Sequence, residues 1–402
     1  MKARKFKYLV IGVLAVMVGA LSACANDENG GGGDDGPIVV GFATAQSGAF
    51  AAYDEPAVES AKLKIDQINK AGGIDGRKIE VVESDTRTDI DGARVAADEV
   101  IEKGADFMMV TCDFDYSTPS IVEAQANGIV AMSPCAGSTK FRTDIIPPNG
   151  FSMGTGIPSE AASLAEFGDQ KLKAKSAYIL LDPTIDYDKQ SAEAFKQTWE
   201  AQGGTIAGED TFQQDTQSVS PQISRIRELS EQPDVIYIAS YPPGGVRMIR
   251  SIRSSGIDAP ILADANFDGT YWLGSVPGLS DFYHSAWASL NGDDPDPQVN
   301  KMIKELTKQH GRPDTSIGSM GGYSVIEALE DAYKEAGTTK DTDLIAALET
   351  FDKKKLTIGP TTFDDTYHIT LDRPVRIMEV QNGKEKFLQM WTPENVPTLD
   401  EG

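Results

Sequence analysis

The sequence predicts an α/β fold made of two doubly wound, parallel-sheet lobes. From residue 38 onward, short apolar runs alternate with single helix-period segments, the pattern of right-handed βαβ crossovers. The alternation pauses near residue 156 and restarts near 177. Roughly 365 residues take part, too many for one small core and enough for two lobes.

The first unit opens on the apolar run 38–42 (IVVGF), read as a strand. A helix follows over about 55–70, with Val58, Ala61, Ile65 and Ile68 on one face, Pro56 in its first turn and Gly72-Gly73 at its end, where positive φ is needed. Residues 78–82 form a strand, and Asp91 caps a helix to about 103 with Val95, Val100 and Ile101 inward. The run 106–111 (DFMMVT) is a buried strand, 119–127 a helix closed by Gly128, and 129–132 the next strand. In the second unit, strands at 177–181, 205–208, 235–239 and 261–262 alternate with helices at 189–202, 219–229 and 245–255. Further helices are expected at 298–309, 324–336 and 341–350, and strands at 376–380 and 386–389. This last part is too small for a layered core of its own. It should complete the first two units, with the chain crossing between them more than once.

Upstream, Lys2, Arg4, Lys5 and Lys7 precede an apolar run over 9–20 and then Leu21-Ser22-Ala23-Cys24. The run is short for a membrane span and has the layout of a secretory signal. Leu-Ser-Ala-Cys resembles the lipobox of bacterial lipoproteins. That resemblance implies cleavage before Cys24, lipidation of its thiol and a lipid anchor on a membrane face outside the cytoplasm. An ordinary secretion signal with a chance cysteine is the other reading. Residues 25–36 (ANDENGGGGDDG) carry no periodicity and read as a flexible tether. The resemblance implies a lipoprotein signal peptide over 1–23 and a linker over 24–36.

The chain carries a formal charge of −24 with 40% hydrophobic residues, a globular composition. Such acidity argues against nucleic acid or an anionic lipid surface as a partner, and is also simply a soluble surface. Beyond Cys24, two cysteines remain. Cys112 and Cys135 fall at the ends of neighbouring predicted strands, so a disulfide and two buried thiols are both open. His284, His310 and His368 have no ligand spacing, so no metal is expected. Asp182, Asp186 and Asp188 lack the Gly and Glu of a calcium loop. No H-E-x-x-H or Walker motif occurs, and Gly30 to Gly33 lie in the linker with no strand before them. No catalytic residue and no cofactor is expected.

Several stretches, in order, resemble type I periplasmic solute-binding proteins of the leucine/isoleucine/valine-binding group of ABC importers. They are 38–48 (IVVGFATAQSG), 67–80 (QINKAGGIDGRKIE), 119–139 ending in SPCAGST, 182–188 (DPTIDYD) and 356–363 (LTIGPTTF). The resemblance covers about 37–391. It implies two lobes joined by three hinge crossings, near Thr155, near Ala288 and over 364–373. Lobe 1 would then hold 37–155 and 289–363, and lobe 2 would hold 156–288 and 364–395. A small solute would bind between the lobes, a membrane permease would read the closed shape, and the protein would act as a monomer without catalysis. A ligand-sensing extracytoplasmic receptor lipoprotein of the same fold is the alternative.

Open α/β sheets bind ligands beyond the C-terminal ends of their strands. The rim residues expected there are Gln46, Ser47, Gly48 and Tyr53 after the first strand, and Asp113, Phe114, Asp115, Tyr116 and Ser117 after DFMMVT. Cys135, Ala136, Gly137 and Ser138 follow the next strand, where the family holds an α-carboxylate. Tyr187, Tyr241, Asp264 and Asp268 come from the second lobe. Departures from the family pattern matter. Its serine-rich loop is replaced by Asp113-Phe114-Asp115-Tyr116, the threonine of its Ser-Pro-Ala-Ala-Thr run becomes Gly137, and its ammonium-binding acid aligns with Ala265, leaving Asp264 or Asp268 as substitutes. A ligand carboxylate beside two aspartates would be repelled. Cationic, amide, polyhydroxy and aromatic ligands therefore compete with an α-amino acid.

Overall fold

Hydrogen bonding sorts twelve of the described strands into two separate sheets. The computed structural model describes residues 36–313 and 316–399; the signal, Cys24 and the linker up to residue 35 lie outside them. The first sheet contains β1 (Ile38–Thr44), β2 (Ile79–Asp85), β3 (Phe107–Val110), β4 (Val130–Ser133) and β5 (Gly150–Ser152), all parallel, in the order β2-β1-β3-β4-β5. α1 (Ala51–Ala71), α2 (Ile90–Glu102) and α3 (Phe114–Ala126) connect its first four strands.

After α4 (Ile157–Gln170), the second sheet takes β6 (Ser176–Leu181), α5 (Asp186–Ala201), β7 (Thr205–Thr211), α6 (Ser220–Arg227), β8 (Val235–Ala239), α7 (Gly244–Ser254), β9 (Ile261–Ala263) and β10 (Phe282–Ala286). The chain then returns to the first layer through α8 (Pro297–His310), α9 (Gly318–Ala336), α10 (Asp341–Leu348) and the small ribbon β11 (Lys354–Leu356) and β12 (Gly359–Thr361). It finishes in the second sheet as β13 (Val375–Gln381) and β14 (Lys384–Trp391), which run antiparallel. The order there is β14-β13-β10-β9-β8-β6-β7.

Both sheets are buried by packing on their two faces. In β6 the alternation is plain: Tyr178 and Leu180 enter one core cluster, Ala177 and Ile179 the other. On the first sheet, α1 and α9 pack closely because α9 begins Gly-Ser-Met-Gly-Gly. A Cβ on Gly322 would collide with the carbonyl of Ala57 in α1.

The chain passes between the layers three times, after β5, after β10 and between β12 and β13. Arg373, 1% exposed, fastens two of these passages together. Its Nη1 donates to the carbonyls of Met153 and Gly154 and to Thr155 Oγ1, its Nε to the Pro360 carbonyl, and its Nη2 to Thr361 Oγ1. Burial pulls the Arg373 pKa down to about 9. An isolated parallel bridge, Thr155 to Thr370, lies beside it.

Local expectations differ from the structure at several places. Asp89, not Asp91, caps α2 by accepting from Gly92 N, and Val95 faces solvent at 46% exposure rather than the core. α1 begins at Ala51, so Pro56 lies inside the helix and not in its first turn. α3 begins at Phe114 instead of 119, because the Asp113 carboxylate accepts from Tyr116 N and starts the helix early. α5 likewise begins at Asp186. β5, α4, β10, β11 and β12 were not among the expected elements.

Candidate functional site

In a doubly wound sheet, the loops on either side of the topological switch leave in opposite directions and open a crevice. In the first sheet the switch lies between β1 and β3, in the second between β6 and β8. The loops and first helical turns that follow these four strands supply Phe50 and Tyr53, Cys112 and Asp113, Tyr187, and Tyr241. Asp54 fixes the first pair of loops. It is fully buried, and its carboxylate accepts from Ala45 N at 2.6 Å and Cys112 N at 2.8 Å. Burial pushes its pKa up to about 7 against those bonds.

Between the two sheets lies a narrow cavity of about 20 Å³. Its walls include Phe50, Tyr53, Asp113, Ala136 and Gly137 from one side and Tyr187, Ala265, Asn266 and Trp287 from the other. Cys112 and Cys135 line it as well and are joined by a disulfide that ties the end of β3 to the loop after β4. Gly137 is needed for this approach, since a Cβ there would overlap the Tyr187 ring.

Two sets of polar contacts latch the rims. On one flank, Asp186 N donates to Asp115 Oδ2 at 2.9 Å, Ser138 Oγ donates to Asp186 Oδ2 at 2.7 Å, and Lys140 Nζ sits 2.6 Å from Asp186 Oδ1. On the other, Tyr53 Oη donates to the Asn266 carbonyl at 2.7 Å and accepts from Tyr271 Oη at 3.0 Å. Phe50 stacks on Tyr241 with ring centres 5.7 Å apart.

Behind the second-sheet wall, Glu160 of α4 is fully buried and gathers four donors. Oε1 accepts from Trp287 Nε1 at 2.7 Å, and Oε2 accepts from Tyr187 Oη at 2.9 Å, Ser285 Oγ at 3.2 Å and Ala265 N at 3.4 Å. Burial raises its pKa to about 7, although these bonds oppose the shift. Asp264 caps the short 3-10 turn Ala265–Phe267 and accepts from Ser191 Oγ at 2.6 Å. Asp188 Oδ1 accepts from Asn266 Nδ2 at 2.8 Å. Burial, aided by their mutual repulsion, raises the pKa of Asp188, and burial raises that of Asp264.

Of the residues expected at the site, Tyr53, Asp113, Cys135, Ala136, Gly137 and Tyr187 line the cavity together. Tyr241 stands beside it on Phe50, and Asp115 and Ser138 belong to the latch. Ser47 lies at the surface, donating to Asp85 Oδ2, and Phe114 turns away to pack edge-on against Phe141. Asp264 supports the wall from behind. Asp268 is buried in the second layer, where it, His284 and Glu385 bring ligand-type atoms within 4.8 Å of one another. Both His284 nitrogens are engaged there, with the Ser285 carbonyl and Glu385 Oε1. Phe50, Asn266, Trp287, Ile317 and the supporting Glu160 were not anticipated.

Comparison with known proteins agrees with this architecture. The family model described as periplasmic binding protein matches residues 37–385, and the chain belongs to that family. The Leu/Ile/Val-binding protein BraC3 of Rhizobium johnstonii is 24% identical over 341 residues, covering 83% of this chain and 89% of that protein. In fold, the chain is similar to the branched-chain amino acid transporter substrate-binding protein LivJ of Streptococcus pneumoniae, solved with isoleucine: TM-score 0.79, 22% identity, 89% of this chain and 100% of that one. It is also similar to an ABC-transporter solute-binding protein of Rhodopseudomonas palustris, solved with 3,4-dihydroxybenzoic acid: TM-score 0.77, 18% identity, 90% and 99% covered. No described helix is long and apolar enough to cross a membrane.

Proposed function

We propose that this protein is the extracytoplasmic solute-binding lipoprotein of an ABC importer. It captures a small polar solute, an amino acid or a related compound, between two lobes and presents the closed form to a membrane permease. The observation that carries this reading is a narrow cavity walled by the switch-point loops of two separate sheets, with three chain passages linking them. A solute touching both walls favours the closed shape by its differential affinity for it. The lobes are assigned as 37–155 with 289–363 and 156–288 with 364–395, turning about the passages that Arg373 fastens. Relatives named for branched-chain amino acids, and fold neighbours solved with isoleucine and with a hydroxylated benzoate, support a small organic solute held without chemical change. Cys24 would carry the lipid anchor.

The test is a thermal-shift screen of amino acids, amides, polyamines and aromatic acids on the full-length chain. A ligand that binds only the folded state at a hundred times its Kd stabilises it by about 2.7 kcal/mol. One class is expected to raise Tm and to bind one-to-one by calorimetry. Turnover of that ligand, or no response to any class, would remove the proposal.

A further inference from the structure

The cavity is chemically one-sided. Its polar wall side chains that could donate a hydrogen bond are already committed elsewhere. Tyr187 Oη and Trp287 Nε1 both point back onto Glu160. Tyr53 Oη donates to the Asn266 carbonyl, and Asn266 Nδ2 donates to Asp188 Oδ1. Apart from Asn266 these residues are aromatic, and the Tyr187 ring packs over Gly137. Neither lysine nor arginine is among the described residues lining it. Lys140, on the flank, is already paired with Asp186.

Asp113 is the acid in that wall. It is 4% exposed, and it accepts from Tyr116 N, in its own helix turn, at 3.2 Å. The charged groups that act on it most strongly are other acids, Asp115 and Asp186, and with burial they push its pKa up to about 8. With its pKa near 8 the group is mostly protonated at neutral pH while the cavity is empty, and a cation seated beside it would draw it into the ionised form, releasing a proton as it binds. An anion seated at the Gly137 edge would instead share that space with it.

Resting on the solute-binding reading above, we infer that the cleft selects a small organic cation without a carboxylate: an alkylammonium or quaternary ammonium group. Its charge sits against Asp113, and its apolar part is enclosed by Phe50, Tyr53, Tyr187 and Trp287. The rings supply cation–π attraction and exclude water, and the carboxylate supplies the charge. The cavity as it stands holds about one water molecule, so the rims must part to admit any such ligand. A zwitterionic amino acid loses at its carboxylate end what it gains at its ammonium.

The experiment uses four probes of one shape on the full-length chain: isobutylamine, isobutyramide, isobutyrate and valine, with tetramethylammonium as a fifth. Isobutylamine or tetramethylammonium is expected to raise Tm and, by calorimetry, to bind at least tenfold more tightly than the amide, the acid and valine. Asp113→Asn keeps the shape and the helix cap and should weaken the cation more than tenfold. Its near-ultraviolet circular dichroism and unliganded melting curve report whether it has folded, and the wild-type ranking stands as a test without it. Valine, isobutyrate or isobutyramide binding more tightly than both cations overturns the cation assignment and leaves solute capture standing. So does an Asp113→Asn variant that folds and holds the cation unchanged. Silence toward all five, with a response to some other class in the wider screen, likewise overturns the assignment alone. Silence toward every class removes both.

Discussion

Asp113 and Glu160 are both buried acids, one from each sheet's side of the cleft, and burial pushes both upward, to about 8 and about 7. Their surroundings differ. Glu160 is saturated by donors from Tyr187, Trp287, Ser285 and Ala265, so it acts as a peg that aims two aromatic rings. Asp113 receives only its own helix turn and borders the cavity. Asp188 and Asp264 side with Glu160, sealed behind the wall and engaged with Asn266 and Ser191. Residue type and burial alone therefore do not identify a ligand-facing acid. Donor count does not do so either, since Asp188 accepts one side-chain bond and its Oδ2 is left unpartnered; what sets Asp113 apart is that it lines the cavity.

The largest effect that would break this contrast is on stability. Glu160→Ala strands four buried donors, each costing about 1–3 kcal/mol when unsatisfied, and should lower unfolding free energy by about 4 kcal/mol in urea titration. A loss under about 1 kcal/mol would mean that the peg is not structural. Next comes affinity for whichever solute the screen identifies. Tyr187→Ala removes a ring from the cavity wall and should weaken binding more than tenfold, about 1.4 kcal/mol or more. Unchanged calorimetric affinity would take Tyr187 out of the site.

The pH response sharpens the comparison further. A carboxyl whose folded pKa lies near 7 rather than its ordinary 4.5 binds extra protons in the folded state between those values. Its stabilising contribution is full below about pH 4.5 and is lost as pH rises through about 7. Glu160→Gln cannot titrate, so its urea midpoint should fall less between pH 5 and pH 8 than that of the wild type. Equal slopes would place the titration at the other raised acids, Asp113, Asp264 or Asp54. The smallest effect is expected at Ser47, an exposed partner of Asp85. Ser47→Ala should leave ligand affinity unchanged and stability within about 0.5 kcal/mol.

Much of the α/β alternation was legible because half-buried helices show a stripe and buried strands a short apolar run. α4 was not. Its sequence IPSEAASLAEFGDQ is small-residue rich and buried at twelve of its fourteen positions, so no polar face marks its period. β5 (GFS) and β12 (GPT) are three residues each and lack an apolar run, unlike the equally short β9 (ILA), which was read. Rim residues were found from strand ends, yet their directions depended on helix starts. Once Asp113 caps α3, Phe114 is carried into the first turn and packs on Phe141, while Asp115 is left to meet Asp186. Phe50 and Trp287 carry no motif and enter the site only through the closeness of the two sheets. A Glu inside an otherwise small-residue stretch was the one available hint of Glu160.

The Arg373 clamp has a consequence for how such a protein can change its cargo. Three of the atoms it grips are main-chain oxygens, of Met153, Gly154 and Pro360, and every residue type supplies those. Three threonine hydroxyls, of Thr155, Thr361 and Thr370, complete the joint, and the carbonyl contacts survive a change of side chain at Met153 or Pro360 but not at Gly154, whose Cβ would meet the Ala136 carbonyl. None of the residues lining the cavity is among those Arg373 binds, so the wall can vary while these linking contacts stay as they are.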